Sequence, residues 1–228
     1  MKRSFVDARI EAMLKLCNRH GVTLPPFALW DAAAFRKQPE AAALIAGRGM
    51  GWNVVEFNPG AFATEGLTIF TLRMGDWREG HSKGGRRYAE KAIMSDDGQR
   101  APHHYHIAKT EDILNRGGAR FVVELFKVDS HGAPTKERFR ALKDVTTLDL
   151  GPGDQVRLEP GESLTLDPYV AHAFWAEGGT ALAGEISLAN DDTRDNYFVP
   201  PLAPLEPIDE DTPARFVTVR DYGQFAGD

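Results

Sequence analysis

The amino-acid sequence predicts a mainly β protein, a jelly-roll barrel preceded by a helical N-terminal region. From about residue 51, short β-forming runs recur at regular spacing and are separated by turn signals, with no helical pattern between them. Many short strands of this kind indicate a sandwich or a closed barrel. A jelly roll is favoured because it protects its strand edges and encloses a small cavity. The chain has 228 residues, 42% of them apolar, which is enough for one such unit with a substantial core.

The first fifty residues are predicted to be helical. Ser4 with Asp7 resembles a capping box, and apolar residues follow at helical spacing until Gly21 stops the run. Asp31 offers an N-cap for a second helical region, which ends around Gly47. We therefore expect helices before the barrel begins.

The strands of the barrel follow from local composition. Turns are predicted at 151–154 and 159–162, where glycine follows proline, and at 177–180, which contains two glycines. The strand-forming runs between and around these turns lie at 68–72, 121–126, 145–148, 155–158, 163–166, 172–175, 181–186 and 216–219.

The domain organisation is expected to be simple. Residues 1–50 form the helical region, and residues 51–189 form the barrel. Residues 190–228 begin with a proline- and acid-rich stretch and are expected to pack on the barrel surface as a C-terminal extension. Because no repeat or low-complexity segment interrupts this order, we expect one domain over residues 1–228.

Composition narrows the classes of function. The net charge of −6 argues against nucleic acid or an anionic membrane as a partner. Cys17 is the single cysteine, so an intramolecular disulfide is excluded and a reducing compartment fits. The N-terminus does not resemble a signal peptide, and the apolar runs are too short to span a bilayer. We expect a cytoplasmic protein that binds neither nucleic acid nor a membrane.

The stretch from Gly98 to Gly118 carries the strongest chemical signal. Side chains alternate faces along a strand, so His104 and His106 point the same way and can bind one ion. Glu111 has the opposite parity, so a bend must bring it to the same place. Imidazole and carboxylate together suit a first-row divalent metal. The spacing Gly-x5-His-x-His-x4-Glu-x6-Gly resembles the first signature motif of the cupin superfamily, whose fold is a double-stranded β-helix, a jelly-roll barrel.

A second, looser motif supplies one more histidine. It runs from Gly161 to His172 and resembles the second cupin motif, in which a glycine and a proline turn precede a histidine. Asp167 stands where cupins commonly have proline, Tyr169 where they have glycine and Ala176 where they have asparagine. The histidine nevertheless keeps the expected place.

Together these residues predict a site of three histidines and one carboxylate. His104, His106, Glu111 and His172 would leave two positions of an octahedron open for adjacent oxygens of a substrate. Such an ion can polarise a carbonyl group and stabilise an enediolate. The same ligands around iron can activate dioxygen, so the ligand set alone leaves both chemistries open. His103 has the wrong parity to share this face.

Beyond these motifs, the chain resembles the D-lyxose isomerase family of cupins. The most distinctive match is the run Lys-Thr-Glu-Asp-Ile-Leu-Asn-Arg-Gly-Gly at 109–118, which cupins in general lack. The resemblance covers nearly the whole chain. Its other segments lie at 24–30, 51–54, 89–91, 172–177, 184–185, 190–192 and 195–196.

The resemblance implies a reaction and roles for several residues. The family interconverts aldoses and ketoses such as D-lyxose and D-xylulose through a cis-enediol, with D-mannose and D-fructose as a further pair. Manganese is its usual metal, with zinc, iron, cobalt and nickel as alternatives, and the four predicted ligands would hold it. Lys91 and Lys109 would face the sugar, and Lys109 would also assist catalysis. A homodimer is implied as well.

The family also uses an acidic residue for proton transfer. Glu206 is the nearest candidate in the C-terminal segment, and Glu210 is the alternative because this chain is about two residues shorter before that point, which shifts the alignment. Glu185 on a predicted strand is another inward carboxylate that could contact the substrate. Two other functions stay open: an iron-dependent cupin dioxygenase, and a sugar-binding cupin without catalysis.

Overall fold

The computed structural model describes residues 1–77 and 86–225. These residues form three α-helices, two 3₁₀ helices and eleven strands, so the predicted mainly β fold with N-terminal helices is confirmed. The helices are α1 (Arg3–Arg19), α2 (Ala32–Lys37) and α3 (Pro39–Gly47), with 3₁₀ helices at Pro26–Leu29 and Val219–Gln224. The strands are β1 (Gly51–Glu56), β2 (Gly66–Met74), β3 (Tyr88–Ser95), β4 (Ala101–Tyr105), β5 (Glu111–Lys127), β6 (Phe139–Lys143), β7 (Thr146–Leu150), β8 (Asp154–Leu158), β9 (Ser163–Leu166), β10 (Val170–Leu188) and β11 (Tyr197–Phe198).

Two long strands shape the barrel. The first half of β5 pairs with the second half of β10 and with β9, whereas the second half of β5 pairs with the first half of β10 and with β8. β10 also pairs with β4 through its first half and with β3 through its second half. Each long strand therefore takes part in both walls of the barrel. All the pairs are antiparallel, and the order on the main path is β1-β2-β3-β10-β5-β9-β6-β7.

Paired glycines form the corner where the two long strands pass from one wall to the other. The register shifts between Glu177 and Ala181, opposite the end of the first half of β5. Gly118 has a φ of 90°, and a Cβ there would lie 2.4 Å from the carbonyl oxygen of Thr180. Only glycine fits so close an approach. The predicted turn at 177–180 is therefore wrong: these residues form an irregularity within β10 that joins two predicted strands into one.

Helix α1 packs on the outside of the sheet. Its apolar stripe, which includes Ile10 and Met13, contacts Trp52, Phe70 and other residues of β1–β3. Cys17 on the same stripe is 1% exposed, as expected for a small hydrophobic residue. The barrel core lies on the opposite face of the sheet and forms a separate apolar cluster. The cavity described below opens within the barrel, away from α1.

Several local predictions are corrected by the structure. Helix α1 begins at Arg3 with Lys2 as N-cap and no side-chain cap, and the hydroxyl of Ser4 bonds Asp211 instead, so the predicted capping box is wrong. Asp31 does cap α2, accepting from the backbone N–H of Ala34 at 2.8 Å. The predicted strand at 216–219 is a single bridge from Thr218 to Trp52, followed by a 3₁₀ helix.

The C-terminal segment crosses back over the barrel. β11 pairs with β4, and the backbone of Asp209 exchanges hydrogen bonds with Met1 and Arg3 of the N-terminus. This path brings residues 190–198 close to the strand that carries His104. In residues 1–77 and 86–225, no helix is long and apolar enough to cross a membrane.

Candidate active site

Three histidines converge inside the barrel. His104 lies on β4 directly opposite His172 on β10, and His106 follows the end of β4. Each ring presents a nitrogen to the others, and these atoms all lie within 4.8 Å of one another. His104 and His106 therefore lie on the same face, as strand parity predicts.

Each imidazole ring is oriented by a backbone carbonyl group. A carbonyl oxygen only accepts hydrogen bonds, so the Nδ1 facing it must carry the proton, and Nε2 of the neutral ring keeps its lone pair. This is the arrangement in which histidine ligates a metal. The carbonyl partners belong to Pro102 for His104 at 2.9 Å, Val170 for His172 at 3.2 Å and Asp195 for His106.

Glu111 completes the cluster from the start of β5. Its Oε1 lies 3.0 Å from Nε2 of His172 and 3.5 Å from Nε2 of His106. All three of these atoms are buried and have no hydrogen-bond partner. Lone pairs that face one another at such distances repel, and a cation between them removes this repulsion. Adjacent ligands about 2.1 Å from one ion lie about 3 Å apart, which matches the shorter of these distances. The donor atoms thus fit a divalent metal.

The titration behaviour of these donors agrees with metal binding. Burial lowers the pKa of His104 well below its usual value, and the neighbouring His172 and His106 lower it further. Burial raises the pKa of Glu111, but the positive charge of Lys109 is the largest of the opposing contributions, and the pKa lies well below its usual range. A metal ligand must be deprotonated, and both groups are in that form at neutral pH.

A chain of alternating charges leads away from Glu111. The ammonium group of Lys109 lies 2.6 Å from Glu111 and 3.0 Å from Glu185. Lys91 lies 3.2 Å from Glu185 and 3.0 Å from Asp192. We call these five residues the Lys109 cluster. Three carboxylates and two ammonium groups leave one net negative charge, which a divalent cation beside Glu111 would more than neutralise.

Both lysines of the Lys109 cluster stay protonated. Burial lowers the pKa of Lys109, but the carboxylates of Glu111 and Glu185 outweigh burial and raise it above its usual value. For Lys91 the same balance holds, with Asp192 and Glu185 as the opposing charges. Two buried ammonium groups are therefore available as hydrogen-bond donors to a ligand.

The backbone explains why these side chains meet. Lys91 on β3 and Glu185 on β10 are direct cross-strand neighbours, so both point into the barrel. Lys109 lies in the bend between β4 and β5, which brings it to the site together with Glu111, as the parity of the sequence required. Tyr169 takes the place of the usual cupin glycine with a φ of 64°, and its N–H donates to the carbonyl of His106 at 2.8 Å. This hydrogen bond from Tyr169 holds the start of the bend between β4 and β5 in place.

The cluster borders a cavity of about 1140 Å³. The three histidines, both lysines and the carboxylates of Glu111, Glu185 and Asp192 line one part of it. A cavity with a few convergent polar groups and a mainly apolar lining is typical of a small-molecule site. The apolar part includes Val55, Phe57, Leu67, Ile69, Ile93 and Phe174.

The structure does not bring the two C-terminal glutamates to this cavity. Glu206 lines a small pocket near Met1 that adjoins the cavity at Phe57 and Leu205, and its carbonyl oxygen accepts from Arg220 at 2.9 Å. Glu210 pairs with Arg3 at 2.6 Å, at the start of α1. The segment that carries both residues runs past the N-terminus of α1, where Asp209 bonds Met1 and Arg3, and neither glutamate lines the cavity. Glu185, by contrast, lies at the cavity, 5% exposed.

Two residues that contact the site have no role predicted from the sequence. Asp192 contacts Lys91, and the carboxylate of Asp195 accepts hydrogen bonds from the bend at 107–109. Both lie in short acidic segments that the family resemblance had included. The family resemblance therefore pointed to both segments. It did not predict the contacts with Lys91 and with the bend at 107–109, because these partners lie far away in sequence.

Comparison with solved structures agrees with this fold. The barrel has a cupin-type jelly-roll fold, and its wall carries the histidine cluster. The L-ribose isomerase of Acinetobacter sp. DL28, solved with L-ribose, matches with a TM-score of 0.59 and 14% identity, covering 87% of this chain and 92% of that one. The ligand-free L-ribose isomerase of Cellulomonas parahominis matches with a TM-score of 0.58 and 16% identity over the same shares.

The chain belongs to the D-lyxose isomerase family, whose model matches residues 1–222. It is 39% identical to the D-lyxose/D-mannose isomerase of Escherichia coli O157:H7 over 231 residues, covering 99% of this chain and 100% of that protein. The Serratia proteamaculans protein of the same name is 37% identical over 235 residues, covering 99% of both. The resemblance found in the sequence is thus confirmed.

Proposed function

We propose that this protein is a metal-dependent aldose–ketose isomerase that interconverts D-lyxose and D-xylulose, and D-mannose and D-fructose. The observation that carries the proposal is the set of buried, unpartnered donor atoms beside Lys109 and Glu185, in a chain of the D-lyxose isomerase family. The cavity next to these atoms is large enough for a monosaccharide.

The metal would be held by His104, His106, Glu111 and His172. A bound divalent ion supplies positive charge that polarises the carbonyl group of the sugar and stabilises negative charge on its neighbouring oxygens. Nitrogen and oxygen donors of this kind suit first-row ions. We propose Mn²⁺ as the native metal, with Zn²⁺, Fe²⁺, Co²⁺ and Ni²⁺ as ions that the same ligands accept.

Glu185 is the group to which we assign proton transfer between C1 and C2 of the sugar. Its Oε1 accepts hydrogen bonds from Lys109 at 3.0 Å and from the hydroxyl of Ser187 at 2.9 Å, which fix the orientation of the carboxylate. A carboxylate held in this way can take a proton from one carbon and return it to the next, as a cis-enediol route requires. This assignment replaces Glu206 and Glu210.

The two lysines would contact the oxygens of the sugar. Lys109 lies between the proposed ligand Glu111 and the proposed base Glu185, so its ammonium group can donate to an oxygen that gains negative charge during the reaction. Lys91 lies on the far side of Glu185 and is placed to bind a sugar hydroxyl. Both side chains are buried, which strengthens their electrostatic effect.

Three further features belong to the same proposal. We propose a single cupin domain over residues 1–228, assembly as a homodimer and a cytoplasmic location. Size-exclusion chromatography with light scattering measures the oligomeric state directly. If the protein is a monomer at working concentration, the homodimer proposal is wrong. The isomerase proposal is unaffected, because all the described site residues belong to one chain.

The function is tested by measuring ketose formation from a panel of aldoses. The protein is assayed as purified, after chelation, and after Mn²⁺ is restored. We expect D-xylulose from D-lyxose and D-fructose from D-mannose, loss of both after chelation and recovery with metal. Absence of turnover on every aldose with metal bound would overturn the proposal. Binding of D-lyxose without turnover would instead identify a sugar-binding protein, and consumption of oxygen with iron would identify a dioxygenase.

The assignment of the base is tested with the isosteric variant Glu185→Gln. We expect kcat to fall by about 10²- to 10⁴-fold, because general base catalysis is lost while the shape of the site is kept. Exchange of the C2 proton of the aldose with D₂O should fall by a similar factor. Glu206→Gln is the matched control and should keep the kcat of the unmodified enzyme. The reverse pattern would return the role to Glu206.

A further inference from the structure

The bend between β4 and β5 is the structural centre of the site. It carries His106 and Lys109 and ends at Glu111, where β5 begins. These three residues do not share the parity of one strand, so the exact path of the backbone through 106–110 decides whether their side chains meet. The backbone N–H groups of a bend cannot join a sheet ladder and need other acceptors.

The carboxylate of Asp195 supplies those acceptors. Its Oδ1 accepts from the N–H of Ile107 at 2.6 Å and of Ala108 at 3.2 Å. Its Oδ2 accepts from Ala108 at 3.2 Å and from Lys109 at 3.1 Å. The backbone carbonyl of the same residue faces Nδ1 of His106. One residue therefore contacts four consecutive residues of the bend.

Asp195 is itself held firmly in place. Its N–H donates to the carbonyl of Asp191 at 2.9 Å in a tight turn. Two residues later the chain forms β11, which pairs with β4 so that Tyr197 opposes Tyr105 and Phe198 opposes His104. The carboxylate is thus tied to the strand that carries a histidine of the cluster.

We propose that Asp195 is a positioning residue for the metal site. Its carboxylate fixes the backbone at 107–109, and its carbonyl fixes the ring of His106, so that His106, Lys109 and Glu111 are preorganised. Hydrogen bonds from N–H groups to a carboxylate are stronger than those to neutral acceptors. Residues that orient metal ligands commonly change metal affinity by about 10- to 100-fold when they are removed. The proposal rests on the metal site of the proposed function, but not on the isomerase reaction.

Metal affinity provides the first test. Asp195→Ala, Asp195→Asn and the unmodified protein are stripped with chelator and titrated with Mn²⁺ by calorimetry. We expect the Kd to rise by about 10- to 100-fold for Asp195→Ala. Asp195→Asn should lie between the two, because one amide oxygen still accepts while the amide nitrogen opposes the N–H of Lys109. The control is Asp154→Ala, which removes a carboxylate that accepts the N–H of Gly151 at 2.7 Å in a turn outside the cavity lining. It should leave the Kd unchanged.

Hydrogen exchange of the metal-free protein provides the second test. We expect the amides of Ile107, Ala108 and Lys109 to exchange faster in Asp195→Ala, while the amides of β5 and β10 keep their protection. Unchanged exchange at the bend, or an unchanged Kd, would overturn the proposal. A loss of protection throughout the barrel would overturn it as well, since Asp195 would then stabilise the fold in general. If the unmodified protein binds Mn²⁺ but isomerises no sugar, the proposed function fails while these two measurements still decide the role of Asp195.

Discussion

Two ion clusters among the described residues are similar in appearance, but only one of them borders the cavity. The Lys109 cluster lies inside the barrel. The second, which we call the Arg3 cluster, joins Arg3 at the start of α1 to Asp221 and Glu210 of the C-terminal segment. Both clusters connect residues far apart in sequence, 76 positions for Lys109 and Glu185 and 218 for Arg3 and Asp221.

The Arg3 cluster is complete in itself. The guanidinium group donates to both oxygens of Glu210 at 2.6 and 2.8 Å and to both oxygens of Asp221 at 2.6 and 3.2 Å. The remaining acceptor capacity of Asp221 is used by the N–H and hydroxyl of Thr218. With every buried group paired, the Arg3 cluster fastens the C-terminal segment to the first helix.

The Lys109 cluster is incomplete beside the histidines. Oε1 of Glu111 and Nε2 of both His106 and His172 are buried without a hydrogen-bond partner, and they face a cavity. Buried polar atoms are almost always satisfied in native proteins, so an unsatisfied set of this kind requires an explanation. Unpaired donor atoms beside the cavity, rather than burial or charge, distinguish the Lys109 cluster from the Arg3 cluster.

The largest effect is expected when a histidine of the cluster is removed. His106→Ala should abolish metal retention and isomerase activity together, because one of four ligands is lost from a site that the other three cannot close. Metal content by inductively coupled plasma analysis and ketose formation measure the two losses. His103→Ala is the matched control, since that ring lies 3.1 Å from Glu124 on the other side of β4. Metal retention in His106→Ala would contradict the ligand assignment.

A smaller loss is expected when the ammonium group is removed but the ligands stay. Lys109→Ala should lower kcat by about 10²-fold, the effect of losing one preorganised donor to a developing negative charge. Metal content should be unchanged, because the bound ion keeps Glu111 ionised in place of the ammonium group. Lys143→Ala, which removes a surface partner of Glu162, serves as control. Loss of metal from Lys109→Ala would show that this lysine supports the ligand shell rather than the substrate.

The predictability of the two clusters from sequence differs for a physical reason. His104 and His106 lie two residues apart, so strand parity predicts their shared face. Glu111 has the opposite parity, and the spacing of the cupin motif is what adds it to the predicted cluster. Glu210 binds Arg3 across 207 positions, and no local pattern reports a pair of that kind. Glu210 is therefore an alternative base on sequence grounds, although its partner Arg3 lies at the start of the first helix.

The same limit applies to the strands. The sequence pattern does not reveal β3, because this strand is covered on both faces. Helix α1 packs on the outer face of the sheet, so the consecutive residues Ala92, Ile93 and Met94 are all buried. The alternation of buried and exposed residues that marks a half-exposed strand is therefore missing. Conversely, the run at 216–219 resembles a strand, but only Thr218 bridges to Trp52 and a 3₁₀ helix begins at Val219. Burial on both faces is a tertiary property that periodicity does not contain.

A loss of stability without a change of chemistry is expected at the Arg3 cluster. Arg3 is 1% exposed, and Arg3→Leu leaves the buried carboxylate of Asp221 without its counter-charge. Breaking a buried ion pair from one side destabilises a protein by about 3 kcal/mol. Chemical denaturation should report this decrease in the free energy of unfolding, while kcat per folded, metal-loaded molecule stays constant. A decrease in kcat at full metal occupancy would contradict this expectation and would show that the Arg3 cluster affects the site in the barrel.

The smallest effect is expected for Glu210, and it tests both clusters at once. Its side chain is 55% exposed, so its attraction to Arg3 is screened by water and is worth at most about 1 kcal/mol. Glu210→Gln should therefore lower the free energy of unfolding much less than Arg3→Leu, because Arg3 keeps its bidentate contact with Asp221. The variant should keep the kcat of the unmodified enzyme, since Glu210 lies outside the cavity lining. A large decrease in kcat with normal stability and metal content would place the base on Glu210, and Glu185 would then only orient Lys109.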